Sequence, residues 1–273
     1  MTKIQQPTGD NDRFERGLAL LKEIGGPDGP AVLESLGDIA PDLGRLTVEF
    51  GYGDILSRPG LTLRERELTT VGALAALGHV APQLRWHING ALNVGCTRTE
   101  IVEVLIHASV YAGFPAALNG LTAAKEVFAA RTDLPEEPAP EPAPMGARFE
   151  RGTAALSEID GEAGEQVVAA LQDIAPDFAR LLVEFSFGDI YARPGLDLKT
   201  REMVTVAMCT ALGVAPQLGV HIHGLLNVGA SEQEVVEVLI QMAGYAGFPA
   251  ALNGIAVART VFAERRSHRN ADA

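Results

Sequence analysis

Tyr111-Ala112-Gly113-Phe114-Pro115-Ala116-Ala117-Leu118-Asn119 recurs unchanged as Tyr245-Ala246-Gly247-Phe248-Pro249-Ala250-Ala251-Leu252-Asn253. Working outward from that block, Ala81 to Leu121 aligns with Ala215 to Ile255, with 27 of 41 positions identical and no gap. Further upstream, Arg13-Phe14-Glu15-Arg16-Gly17 returns as Arg148-Phe149-Glu150-Arg151-Gly152 at an offset of 135. Asp38-Ile39-Ala40-Pro41-Asp42 returns as Asp173-Ile174-Ala175-Pro176-Asp177 at the same offset, and one extra residue, His79, makes it 134 thereafter. Identity in one register over this length means one fold written twice. Two such copies are expected to pair about a pseudo-twofold axis, as symmetric dimers do.

Each copy reads as helices. Phe14 to Ile24 is a short amphipathic run, and Ala31 to Phe50 is a second, interrupted near Pro41. Thr62 with Glu65 forms a capping-box pattern that opens a helix to about Leu77, which Gly78 ends. Pro82 fits a first helical turn and starts Gln83 to Val94, with Gly95 as the stop. Thr97 with Glu100 opens Arg98 to Tyr111, Gly113-Phe114-Pro115 breaks the chain, and Ala116 to Ala130 closes the copy. No segment alternates apolar and polar residues in the manner of a strand. The expected class is therefore all-α, with two tandem helical domains at 12–132 and 147–266 packed as a pseudo-dimer. The segment 133–146 holds five prolines and is expected to be an extended, solvated linker. The polar tail from Ser267 to Ala273 is expected to fray.

The 273 residues carry 22 Lys and Arg against 35 Asp and Glu, a net charge of −13. That balance speaks against broad binding to nucleic acid or to an anionic membrane, since a polyanion needs a basic face. Two cysteines, Cys96 and Cys209, are too few for a disulfide framework. No apolar run reaches membrane-span length, and Met1 to Arg16 has no signal-like apolar core. The expected setting is cytoplasmic and reducing.

The two copies act as a two-sequence comparison for chemistry. Shared polar residues are Asp54/Asp189, Arg58/Arg193, Arg66/Arg201, Glu67/Glu202, Gln83/Gln217, His87/His221, Glu103/Glu237, Tyr111/Tyr245 and Asn119/Asn253. His87 and His221 lead, because imidazole moves protons near neutral pH; the alternative is a packed histidine that holds a helix. Gln83 and Gln217 stand one helical turn before them. Glu103, His107 and Tyr111 form an i, i+4, i+8 stripe that could serve one pocket, or a plain surface pair. The second copy has Glu237, Gln241 and Tyr245 there, so the first copy is expected to be the better site. Arg66 and Arg201 read either as carboxylate clamps or as interhelical salt bridges. Arg58-Pro59-Gly60 and Arg193-Pro194-Gly195 read as turns. His221 and His223 are two apart on a helix and cannot share an ion, and no other ligand spacing occurs, so no metal is expected. No Gly-rich phosphate loop follows a strand.

Arg58-Pro-Gly-Leu-Thr-Leu-Arg-Glu-Arg-Glu-Leu68, Ala75-Ala-Leu-Gly78, Gln83-Leu-Arg-Trp-His87, Ala91-Leu-Asn-Val-Gly95 and the Tyr111 block together resemble the carboxymuconolactone decarboxylase family, in the alkyl hydroperoxidase D-like superfamily. The second copy repeats the pattern from Arg193 to Asn253. The resemblance implies an all-helical domain, a lyase without metal or organic cofactor, and a homo-oligomer, here a trimer of two-domain chains. It implies decarboxylation, with a double-bond shift, of a small carboxylated lactone or β-keto acid. Under it, His87 and His221 with Glu67 and Glu202, and also His107, are expected to move protons. Arg66, Arg85, Arg201, Gln83, Gln217, Trp86, Tyr111 and Tyr245 are expected to hold the substrate; Arg85 becomes Gly219 in the second copy. The peroxidase branch uses a Cys-x-x-Cys pair, and those positions fall at Val80 and Gln83 and at Val214 and Gln217, with no cysteine at any of them. Alternative readings are a biosynthetic isomerase or dehydratase, a thiol peroxidase, or a non-catalytic binding protein.

Overall fold

The computed structural model describes residues 10–26, 29–138 and 141–271, and among them there are helices and no strands. In the first copy α1 is Asp10–Gly25, α2 Ala31–Ser35, α3 Pro41–Leu46, α4 Leu63–Leu77, α5 Ala81–Asn93, α6 Arg98–Tyr111 and α7 Gly113–Ala130. The second copy repeats this as α8 Arg148–Asp160, α9 Glu162–Ala169, α10 Pro176–Leu181, α11 Leu198–Leu212, α12 Ala215–Asn227, α13 Glu232–Tyr245 and α14 Phe248–Ala271. Pro115 lies within the first turn of α7, where its missing N–H costs nothing. The tail expected to fray is helical as far as Ala271.

Sequence reading misses one element in each copy. Thr47–Leu56 (π1) and Leu182–Tyr191 (π2) are π-helices with i→i+5 bonds, closed by Ser57 N donating to Tyr52 O at 3.0 Å and Ala192 N to Phe187 O at 3.1 Å. Glycines allow π1 to lie against α1: a Cβ on Gly17 would stand 2.2 Å from Val48 O. Arg13 then clamps Asp54, and Arg148 clamps Asp189 in the other copy. The wider turns carry Tyr52 in the first copy and Tyr191 in the second, and π-turns of this kind recur at functional sites.

The helix α4 is buried from Arg66 to Ala76 and carries the expected Thr62–Glu65 capping box, with Gly78 at φ +74° ending it. It packs against α11, its counterpart, and this pair forms the seam between the copies. The cores interpenetrate there: Val204 and Met208 join the apolar cluster of the first copy, and Leu61 and Ala73 join that of the second. The two copies therefore fold as one pseudo-dimeric body. Most described residues of the 133–146 linker are exposed and lie outside any helix, and one of them is anchored to the body. Glu137 accepts the N–H groups of Arg98 and Thr99 at 2.7 and 3.2 Å, at the positive N-terminus of α6.

Candidate active sites

Glu67 on α4 and His87 on α5 meet under the seam, where His87 Nδ1 lies 2.9 Å from Glu67 Oε2. Gly90, one turn after His87, makes room, since a Cβ there would stand 2.9 Å from the same oxygen. Nδ1 is assigned the proton, because a carboxylate can only accept. Trp86 stands edge-on to the imidazole, with centroids 4.8 Å apart, and Tyr245 from the second copy does so at 5.1 Å. Tyr52 on π1 packs edge-on to Trp86. Three polar atoms of this site have no hydrogen-bond partner among the described residues: Glu67 Oε1, His87 Nε2 and the Tyr52 hydroxyl. Burial, with Tyr245 and Glu67 adding to it, holds the Tyr52 phenol well above its ordinary pKa, so it is a neutral donor.

The second pair is Glu202 on α11 and His221 on α12, with Nδ1 3.2 and 3.1 Å from the two carboxylate oxygens. Here the far side of the imidazole is occupied. Tyr111, reaching over from the first copy, puts its hydroxyl 3.1 Å from His221 Nε2 and 2.6 Å from the Tyr191 hydroxyl. Tyr191 in turn donates to Glu202 Oε1. His221, Tyr111, Tyr191 and Glu202 thus form a closed ring, and a doubly protonated imidazole supplies a donor for every link. Burial opposes that cation, but Glu202 and Asp160 outweigh it and His221 is raised above its usual value. Asp160, at the end of α8, is itself buried with Oδ1 unpartnered. Burial pushes its carboxyl up to about 7, with His221 opposing and Glu202 adding to the shift.

The α6 stripe lines up as expected but serves the other copy. His107 lies at the second site, with Nε2 2.8 Å from Thr205 Oγ1. Thr205 spends its proton on Arg201 O, so His107 Nε2 is the donor and Nδ1 is left bare and unpartnered. Burial, then Arg201 and His221, push His107 well below its usual pKa and keep it neutral. Gln241, its counterpart, stands at the first site. It accepts from Arg66 Nη1 at 3.0 Å and donates to Arg66 O, Thr69 and Thr70. The expectation that the first copy gains an imidazole and the second loses one is therefore reversed.

The arginines are not where a substrate would need them. Arg66 and Arg201 are fully buried and bind Glu237 and Glu103 of the opposite copies at 3.0 and 2.9 Å, which is the interhelical reading. Arg58 and Arg193 join the same two carboxylates, so those segments are cross-copy clamps as well as turns. Their presence in both copies was the signal, and a turn reading hid it. Arg85 pairs with Glu126 at 3.2 Å and, two residues from His87, points off that face. Gln83 and Gln217 are exposed one turn before the histidines.

Comparison with known proteins matches the carboxymuconolactone decarboxylase family to residues 41–126 and again to 176–260. The chain belongs to the carboxymuconolactone decarboxylase family. A 4-carboxymuconolactone decarboxylase from Acinetobacter baylyi is 37% identical over 120 residues, which is 44% of this chain and 89% of that protein. The nitrosuccinic acid decarboxylase npaB of Metarhizium robertsii is 31% identical over 113 residues, 40% of this chain and 77% of its own. A solved structure assigned as a gamma-carboxymuconolactone decarboxylase subunit from Burkholderia xenovorans matches 96% of this chain and all of its own, with a TM-score of 0.58 and 25% identity. Within this carboxymuconolactone decarboxylase family member, the two Glu–His pairs lie at the contact between its own repeated domains.

Thiol chemistry finds no support in the geometry. Cys96 and Cys209 are buried, and burial raises both thiols, Cys96 to about 12, whereas a reactive thiol needs a lowered pKa. Among the described residues no group of three His, Cys, Asp or Glu could hold a metal ion, and no helix is long and apolar enough to cross a membrane.

Proposed function

We propose that this protein decarboxylates a small carboxylated lactone or β-keto acid, with His87 as the proton donor and Glu67 as its orienting base. The observation that carries the reading is the buried Glu67–His87 pair with an unengaged Nε2 facing an aromatic wall. Glu67 accepts from Nδ1–H and fixes the orientation of the ring, so a proton carried on Nε2 is aimed at whatever enters. The carbon–carboxylate bond breaks, CO₂ leaves, and the electron pair passes into a conjugated carbonyl. His87 Nε2–H then delivers its proton to carbon, and the imidazole recovers one from water. One proton is consumed per CO₂ released. The neutral Tyr52 phenol, edge-on to Trp86, is the donor assigned in this scheme to the developing enolate oxygen. Neither Arg66 nor Arg85 holds the substrate in this scheme, because both are committed elsewhere.

The test is incubation with 4-carboxymuconolactone, following CO₂ release and the ultraviolet spectrum. Turnover in the wild type that falls at least about 100-fold in His87→Ala supports the reading. A spectral shift without CO₂ marks an isomerase on the same scaffold. No change with this or with β-keto acids removes the lyase reading.

A homo-oligomer completes the proposal. Leu43, Phe114 and Leu118 are exposed, and so are their counterparts Phe178, Phe248 and Leu252. Each copy thus exposes the same large apolar side chains, and burying them against like side chains of other chains would let three chains close into a ring. Light scattering should give three times the 28.8 kDa chain mass.

A further inference from the structure

One position separates the two sites. Tyr191 closes the ring of the second site, and the residue aligned with it in the first copy is Leu56. The consequence is visible at the carboxylates. Glu202 Oε1 receives the Tyr191 phenol, whereas Glu67 Oε1, equally buried, receives nothing. A buried, unpartnered carboxylate oxygen is costly, and in a native fold it marks a place that something else fills. The same side chains border the outside. Tyr191 lines a groove of about 520 Å³ that the linker residues Pro142 and Pro144 also border. Leu56 lines the matching groove of the first copy, about 400 Å³, with Leu20, Leu61 and Leu63 and no linker residue. In the second copy one side chain spans from groove to carboxylate, and its hydroxyl is the part that docks. In the first copy the leucine is too short to reach and has no hydroxyl to offer.

We propose that the first site binds a planar enol or phenol whose hydroxyl donates to Glu67 Oε1 beside the Trp86 ring, and that Tyr191 fills the same place in the second site from within the chain. The second site is then a self-liganded copy, with His221 Nε2 already engaged by Tyr111. This deepens the reading of Glu67–His87 as the reacting pair and rests on it: an enol is what loss of CO₂ from a β-keto acid yields. The way in is past Leu56, from the smaller groove.

Phenol itself is the probe, since it is the group Tyr191 supplies. Calorimetric titration of the full chain should give one equivalent of phenol per chain. The emission of Trp86, the single tryptophan, should change with the same midpoint. Leu56→Tyr should weaken binding at least 10-fold, and Tyr191→Leu should raise the stoichiometry to two, the second equivalent being silent in Trp86 emission. Should L56Y fail to fold by its thermal melt, Glu67→Gln tests the same oxygen and should also weaken phenol at least 10-fold. No phenol binding to the wild type, or binding unaffected by both L56Y and E67Q, overturns the inference; so does Y191L remaining at one equivalent. Turnover of a carboxylated lactone is measured on the same samples. The phenol pattern without turnover of any acid keeps the inference and removes the proposed reaction. Turnover that survives L56Y with unchanged KM keeps the reaction and overturns the inference.

Discussion

The Glu67–His87 and Glu202–His221 sites share a backbone plan, a carboxylate–imidazole pair and an edge-on tyrosine from the opposite copy at 5.1 Å in each case. They differ in what surrounds that plan. The first keeps Glu67 Oε1, His87 Nε2 and the Tyr52 hydroxyl free of protein partners. The second satisfies both oxygens of Glu202 and both nitrogens of His221 internally. Gly25 and Trp86 in one become Asp160 and Val220 in the other, so an aromatic wall is exchanged for a buried acid. The lesson is that duplication preserved the proton-handling pair while the shell around it decided whether anything can reach it.

The strongest way to probe that comparison begins with what should not differ. Removing the carboxylate that pairs a buried arginine leaves an uncompensated charge, at a cost of about 3–5 kcal/mol. Glu237→Ala and Glu103→Ala should therefore lower the urea midpoint to a similar extent, since each strands one of Arg66 and Arg201. A large inequality would mean that the seam is not symmetric in energy.

Asp160 has no counterpart acid in the first copy, so Asp160→Asn sharpens the contrast. Its carboxyl is raised from 3.8 to about 7, so the folded state prefers it protonated. The resulting penalty is absent below pH about 4, grows as pH rises toward 7 and is complete above that, reaching about 2–4 kcal/mol. Thermal melts should show D160N more stable than wild type at pH 8, with the gain shrinking toward pH 4. A gain that is flat with pH would refute the assignment. His221 carries the opposite signature: with its folded pKa raised, its contribution is present below about 6.5 and is lost as pH climbs through the folded value.

Activity should separate the histidines. His87→Ala is expected to lose at least about 100-fold in kcat/KM, about 2.7 kcal/mol, whereas His221→Ala should lose less than about 3-fold. Equal losses would show that the closed ring opens during turnover. The smallest effect concerns the swapped pair. His107 leaves its own Nδ1 and Arg201 Nη1 unpartnered, while Gln241 satisfies Arg66 Nη1 at the matching place. His107→Gln should therefore stabilise the protein by about 1 kcal/mol in urea unfolding, and a loss would contradict the mapping.

Much of the fold was legible in the residues. Capping boxes at Thr62 and Thr97, stop glycines at Gly78 and Gly95, and Pro82 in a first turn place α4, α5 and α6 within a residue or two, because helix ends are written in local side-chain chemistry. The Ala31–Phe50 stretch resolves instead into α2, α3 and π1. An i→i+5 turn has no local sequence signal, and it follows here from glycine-mediated contact with α1. His87 and His221 were found as shared polar residues. Tyr52, Tyr191 and Asp160 carry no such signal, because each occurs in one copy alone, opposite Phe187, Leu56 and Gly25.

Sequence by itself determined that the chain is one helical domain written twice, that it belongs with the carboxymuconolactone decarboxylases, and that its chemistry has imidazole and carboxylate to work with. The first follows from local helix caps and from the repeat at offsets of 135 and 134, the second from the resemblance of its motifs to that family, and the third from residue types present in both copies. Tertiary structure alone decided which residues share a pocket. The seam crosses α4 with α11, so His107 and Tyr111 meet Glu202 and His221, while Gln241 and Tyr245 meet the surroundings of Glu67 and His87. Positions on one helix face point together, but what they face depends on packing between distant segments, and no periodicity within one copy encodes that.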